Sequence, residues 1–158
     1  MKCLIRSWLA LGICLFSLPG RAAPLAVGDA VPEISAKDQY GTHYAFTNGT
    51  AFLLIATEME SAKAANQKLA GEGEGFLEKQ HAAYLMDIHT MPGIARFFAL
   101  PKLRKYPQRI VLVEKAGSLD WVPLKPGHVT VLKLSPDGRI QQIRYWDSAC
   151  EPVTGLFL

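Results

Sequence analysis

Apolar runs and polar, glycine-marked joins alternate along the chain. Residues 51–57 are continuously apolar up to Thr57, the pattern of a strand covered on both faces. Residues 61–70 follow with Ala62, Ala64, Ala65 and Leu69 as helix formers, Ser61 at the N-cap position and Gly71 as the stop. After the glycine-rich loop 71–75, residues 82–87 predict a second buried strand. A turn at 89–92 leads into a helix at 93–98, and Pro101 and Pro107 bound a further short helical piece. Residues 109–114 predict a third strand, closed by a turn at 116–118. Two hairpins frame this middle. Residues 32–36 and 43–46 flank Asp38-Gln39-Tyr40-Gly41, and Asn48-Gly49 ends that pair. Residues 129–134 and 139–146 flank Ser135-Pro136-Asp137-Gly138, whose Asp-Gly step is a strong turn signal. A terminal helix over 148–157 completes the pattern.

Helices between buried strands predict parallel pairing through crossovers, while the closing hairpin adds antiparallel strands. The expected class is α/β: a mixed sheet flanked by helices, with an N-terminal β-hairpin.

The first 22 residues stand apart. Lys2 and Arg6 precede an uncharged apolar run at 8–18, and cutting after Ala22 puts Gly20 and Ala22 at the two positions that must be small. The run falls short of the roughly 20 residues a permanent span needs. Residues 1–22 therefore read as a signal peptide and 23–158 as one domain, exported to the periplasm and left without a membrane anchor. Of the 17 basic residues, Lys2, Arg6 and Arg21 leave with the leader, so 14 basic face 14 acidic residues. A neutral mature chain gives no electrostatic reason to expect a nucleic-acid partner. Cys3 and Cys14 leave too, and Cys150 alone cannot close a disulfide within the chain.

The join after residue 57 carries the resemblance. "LLIATEMESAK" resembles the thioredoxin-like pattern of apolar strand, Ala-Thr-Trp and Cys-x-x-Cys-Lys: Ala56, Thr57 and Lys63 match. Glu58 stands at the tryptophan, and Met59 and Ala62 stand at the cysteines. "VTVLKLSPDGRI" resembles the second signature, with Thr130, Asp137 and Gly138 matching and Val129 in place of the cis-proline. The chain is also similar to exported YtfJ-type proteins through Ser61-Ala62-Lys63 with Asn66, Pro92-Gly93, Tyr106-Pro107 and "VLKLSPDGRI". Through "MDIHTMPGIARFFALPKLRKYP" it looks like small exported proteins of pseudomonads. The resemblance implies a thioredoxin-like domain lacking the Cys-x-x-Cys motif.

Thiol exchange needs an attacking thiolate and a resolving thiol, and the Met59–Ala62 positions supply neither. The expectation is a binding or accessory protein, more an adaptor than an enzyme, and neither a thiol-disulfide oxidoreductase nor a thiol peroxidase. Its binding edge would be Glu58, Met59, Glu60, Ser61, Ala62, Lys63, Asp87, Met91, Pro92, Gly93, Val129 and Thr130, where strand ends and a helix start converge. The acids Glu58 and Glu60 oppose an anion there and favour a peptide or protein partner.

Other chemistries find less support. Glu58, Glu60 and Asp87 read as solvated acids, the first two complementing a helix dipole. His43, His81, His89 and His128 are scattered, and a soft copper site from His89, Met59, Met86 and Met91 lacks cysteine ligands. No metal, catalytic residue or cofactor is predicted. The second hypothesis is an oxidoreductase working through Cys150 or a bound flavin, although no G-x-G-x-x-G turn occurs. Cys150 itself reads as a buried structural thiol in the terminal helix.

Overall fold

The computed structural model describes residues 23–45 and 49–158; the leader, and Phe46 and Asn48 of the first hairpin, lie outside them. Seven strands form one sheet: β1 (Ser35–Asp38), β2 (His43–Ala45), β3 (Phe52–Ala56), β4 (Ala82–Asp87), β5 (Val111–Val113), β6 (Val129–Leu134) and β7 (Ile140–Trp146). Their order is β2-β1-β5-β4-β3-β6-β7. β4 pairs in parallel with β3 and β5, and every other pairing is antiparallel. Among the described residues three α-helices, α1 (Met59–Gly71), α2 (Phe76–Lys79) and α3 (Gly93–Leu103), join this sheet in an α/β fold with an N-terminal hairpin.

Every residue of β3 is buried, because each face of the sheet has its own core. Leu54, Ala56, Tyr84, Met86, Leu112 and Val131 meet Ala62, Ala65 and Leu69 of α1, Leu77 of α2 and Leu103 of α3 on one face. Leu53, Ile55, Leu85, Val111, Val113 and Leu132 meet Ile34, Leu119 and Val122 on the other. That second face is covered by irregular chain rather than helix. Gly28 N–H donates to the Ile140 carbonyl and Leu25 N–H to that of Trp121, both at 2.8 Å, which pins the N-terminal segment there. Burying each large aliphatic side chain contributes roughly 1.5–3 kcal/mol relative to exposure.

Several elements depart from the sequence pattern. α1 starts two residues before Ser61: Glu58 has the extended N-cap backbone, and no side chain caps it. Ser61 is buried in the first turn, where its hydroxyl donates to the Glu58 carbonyl at 3.1 Å. α3 continues through Pro101 to Leu103. Pro101 removes one ladder bond, but Pro101 and Phe97, whose carbonyl loses it, are both exposed to water. α2, a single turn held by buried Leu77, is too short to show a helical period. The terminal helix is absent and only Val153–Gly155 forms a 3₁₀ turn. Pro152 disfavours a helical Glu151 and brings no N–H of its own.

Candidate functional site

β3 and β4 end side by side, with Ala56 opposite Met86. The chain leaves β3 into α1 and leaves β4 through residues 88–92 into α3. Crevices outside the carboxyl ends of parallel strands are where such sheets hold ligands, and a groove lies between α1 and α3. One hollow of about 300 Å³ is lined by Met59, Lys63, Asn66, Met86, Met91, Ala99, Lys102, Leu103 and Tyr106. A second of about 430 Å³ is lined by Thr57, Met59, Asp87, Thr90, Met91, Pro92, Ala95 and Ala99. Met59, Met91 and Ala99 line both, so the two are one groove.

Helical spacing puts these residues on facing sides. Met59, Lys63 and Asn66 recur at i, i+4 and i+7 on α1, and Ala95, Ala99 and Lys102 do the same on α3. Outside the groove α3 carries Ile94, Phe97 and Phe98, which are 75%, 73% and 63% exposed. The Phe97 and Phe98 rings meet edge to face, with centroids 5.4 Å apart.

Specific bonds hold the loop between β4 and α3. Both oxygens of Asp87 lie 2.8–2.9 Å from His89 Nδ1, and the His89 N–H donates to Oδ1 at 2.9 Å. Arg96 reaches back to donate from Nε to the Met91 carbonyl at 2.9 Å and from Nη2 to that of His89 at 3.1 Å. Behind the groove runs a buried polar chain. Gln39 donates to the Gln108 carbonyl at 2.9 Å and accepts from Ile110 N–H at 2.8 Å. Gln108 Nε2 then donates to the Asn66 carbonyl at 3.1 Å, and Asn66 Nδ2 reaches the Met86 sulfur at 4.0 Å. Tyr84, which donates to the Ala62 carbonyl at 3.3 Å, has its phenol pushed far above the usual range, first by burial and then by Tyr106.

The predicted edge divides in two. Met59, Lys63, Asp87, Met91 and Pro92 line the groove. Ser61, Ala62, Val129 and Thr130 are buried and form its support instead; Thr130 Oγ1 donates to the Pro123 carbonyl at 2.7 Å. Glu58 and Glu60 are exposed but line neither hollow. Glu58 Oε2 turns away to accept from Gly127 N–H at 3.1 Å, and Gly93 is likewise outside the lining. The sequence reading missed Lys102, because it broke α3 at Pro101 and so lost the spacing that aligns Ala95, Ala99 and Lys102; it also missed Tyr106, which follows the end of α3. A larger hollow of about 530 Å³ lies against β1 and the adjacent β5, with Glu33, Lys37, Glu114 and Lys115 mixing charges in its lining.

Cys150 is exposed, not buried as expected. It lies in a turn built by Asp147, whose Oδ1 accepts from Ala149 and Cys150 N–H at 3.0 and 3.2 Å. Those bonds, the Cys150 N–H foremost, hold the Asp147 carboxyl below its ordinary value. Ser148 ties this turn to α1 by donating to the Ser61 carbonyl at 2.9 Å. Among the described residues no three His, Cys, Asp or Glu side chains gather as a metal site requires. No described helix is long and apolar enough to cross a membrane.

No family model and no curated protein matches the sequence. Solved structures do match in fold. The thioredoxin domain of a thiol-disulfide oxidoreductase from Bacteroides vulgatus has a TM-score of 0.55 at 16% identity, over 79% of this chain and 93% of its own. A peroxiredoxin-like protein from Aquifex aeolicus gives 0.54 at 11% identity, over 82% and 81%. A structure from Chlorobium tepidum described as the thiol:disulfide interchange protein DsbE gives 0.52 at 13% identity, over 76% and 85%. The fold is thioredoxin-like. These neighbours correct the expectation of a protein that is more adaptor than enzyme, and neither a thiol-disulfide oxidoreductase nor a thiol peroxidase. Proteins sharing its scaffold, at low identity, carry those enzyme names.

Proposed function

We propose that this is an exported, periplasmic binding or accessory protein of the YtfJ-like kind, whose groove between α1 and α3 holds a peptide or protein partner. The observation carrying this reading is the placement of the groove. It opens where the parallel strands end and is walled by Met59 and Met91, and the α3 helix that forms one side exposes Ile94, Phe97 and Phe98 outside it. Clustered exposed apolar side chains mark interaction surfaces. Met59 is 51% exposed, so it is available to a partner. Met59 and Ala62 sit where the resemblance puts a cysteine pair, and the groove would keep the substrate-holding part of that scaffold.

A second reading uses Cys150, which is exposed and tied through Ser148 to the first turn of α1. Its thiolate would attack a partner's disulfide, form a mixed disulfide and release the partner's other sulfur as a thiolate, with an external thiol needed to resolve the product.

Selection of a displayed peptide library on the purified protein tests both readings. Under the first, a family of sequences is enriched, its binding falls at least tenfold with Met59→Asp and is unchanged with Cys150→Ser, while circular dichroism stays native. Enrichment indifferent to Met59→Asp rejects the groove. Reductant-sensitive adducts abolished by Cys150→Ser would favour the thiol reading.

A further inference from the structure

The groove is chemically polarised, and this inference rests on the peptide-binding reading above. Apart from Met1, every methionine of the chain lines the hollow between α1 and α3: Met59, Met86 and Met91. Thioethers make a polarisable wall that adapts to varied apolar side chains. Lys63 from α1 and Lys102 from α3 line the same hollow and are both exposed. Among the described residues neither ammonium has an ion-pair or hydrogen-bond partner. Two unpaired cations from different helices therefore share one apolar cavity.

Asn66 adds a donor to that wall. It is 2% exposed and lines the hollow, and its amide N–H has only the Met86 sulfur at 4.0 Å, a weak acceptor. At the far end the charged group is Asp87, already held by His89. Glu58 and Glu60, the acids that would repel an anion, line neither hollow. Three thioethers would also suit a cuprous ion, but the two ammoniums oppose any cation placed among them.

We propose that the groove recognises a peptide segment in which an apolar side chain is followed by an acidic one. The apolar side chain packs against Met59, Met86 and Met91. The side-chain carboxylate lies between Lys63 and Lys102, within reach of the Asn66 amide. Because the groove continues past Met91 to Asp87, the segment runs through rather than ending there.

Two fluorescein-labelled, C-terminally amidated peptides test this by anisotropy: Gly-Ser-Ala-Leu-Glu-Gly-Ser and the same peptide with Gln for Glu. The Glu peptide should bind about tenfold tighter, a difference of roughly 1.4 kcal/mol. That preference should shrink to within twofold in the Lys63→Ala/Lys102→Ala double variant. It should also shrink in 0.5 M salt, where charges on exposed groups are screened. Equal binding of both peptides, weakened equally by Met59→Asp, would overturn the acidic preference while leaving the groove intact. Absence of any Met59-sensitive binding would overturn the groove reading and this inference together.

Discussion

Gln39 sits in a hairpin turn, yet it is 1% exposed and organises the floor of the groove. One carboxamide serves both the Gln108 carbonyl and the Ile110 N–H, partners about 70 residues along the chain. Nothing local in the sequence marks it, since a turn glutamine is ordinarily solvated. A buried polar group left without a partner costs about 1–3 kcal/mol, and removing Gln39 orphans two. Gln39→Ala should therefore lower stability by about 2–4 kcal/mol in equilibrium denaturation; a midpoint unchanged from the parent would mean that this network contributes nothing. Met59 shows the opposite case. Its position after an apolar strand and Ala-Thr was legible, and it lines the groove. Met86 read simply as strand core, and it is buried; only the register Ala56 opposite Met86 places its sulfur at the groove.

At the scale of elements, continuous apolar runs were readable because both sheet faces are covered, and the 82–87 strand has the bounds its pattern indicates. Helix ends were less readable. Ser61 satisfies an N-cap pattern but lies buried inside the first turn, its hydroxyl donating to the Glu58 carbonyl. Prolines misled in both directions: Pro101 is carried inside α3, whereas Pro152 prevents the terminal helix. The wall that α3 contributes depends on the loop before it, which Arg96 fastens by two bonds to carbonyls and by a 3.6 Å approach to Glu114. Arg96→Ala should speed amide exchange across residues 88–92 severalfold and lower global stability by only about 1 kcal/mol. Exchange rates that stay unchanged there would show that the loop is held by Asp87 and His89 alone.

For the whole molecule, the mixed sheet was predictable from strand and helix order, but its coverage was not. Among the described residues, helices pack on one face only, while residues 25–34 and 119–122 close the other. The groove opens on the helical side, between α1 and α3, and the larger hollow lies toward the hairpin edge. These two surfaces make distinct predictions for where a partner lands. The most direct measurement is amide chemical-shift mapping on the ¹⁵N-labelled protein, titrated with the Leu-Glu peptide. The account predicts shifts concentrated in residues 57–66 and 87–106, with the β1–β5 edge unmoved. Shifts centred on residues 32–37 and 112–121, or around Cys150, would contradict the assignment of the groove as the binding site.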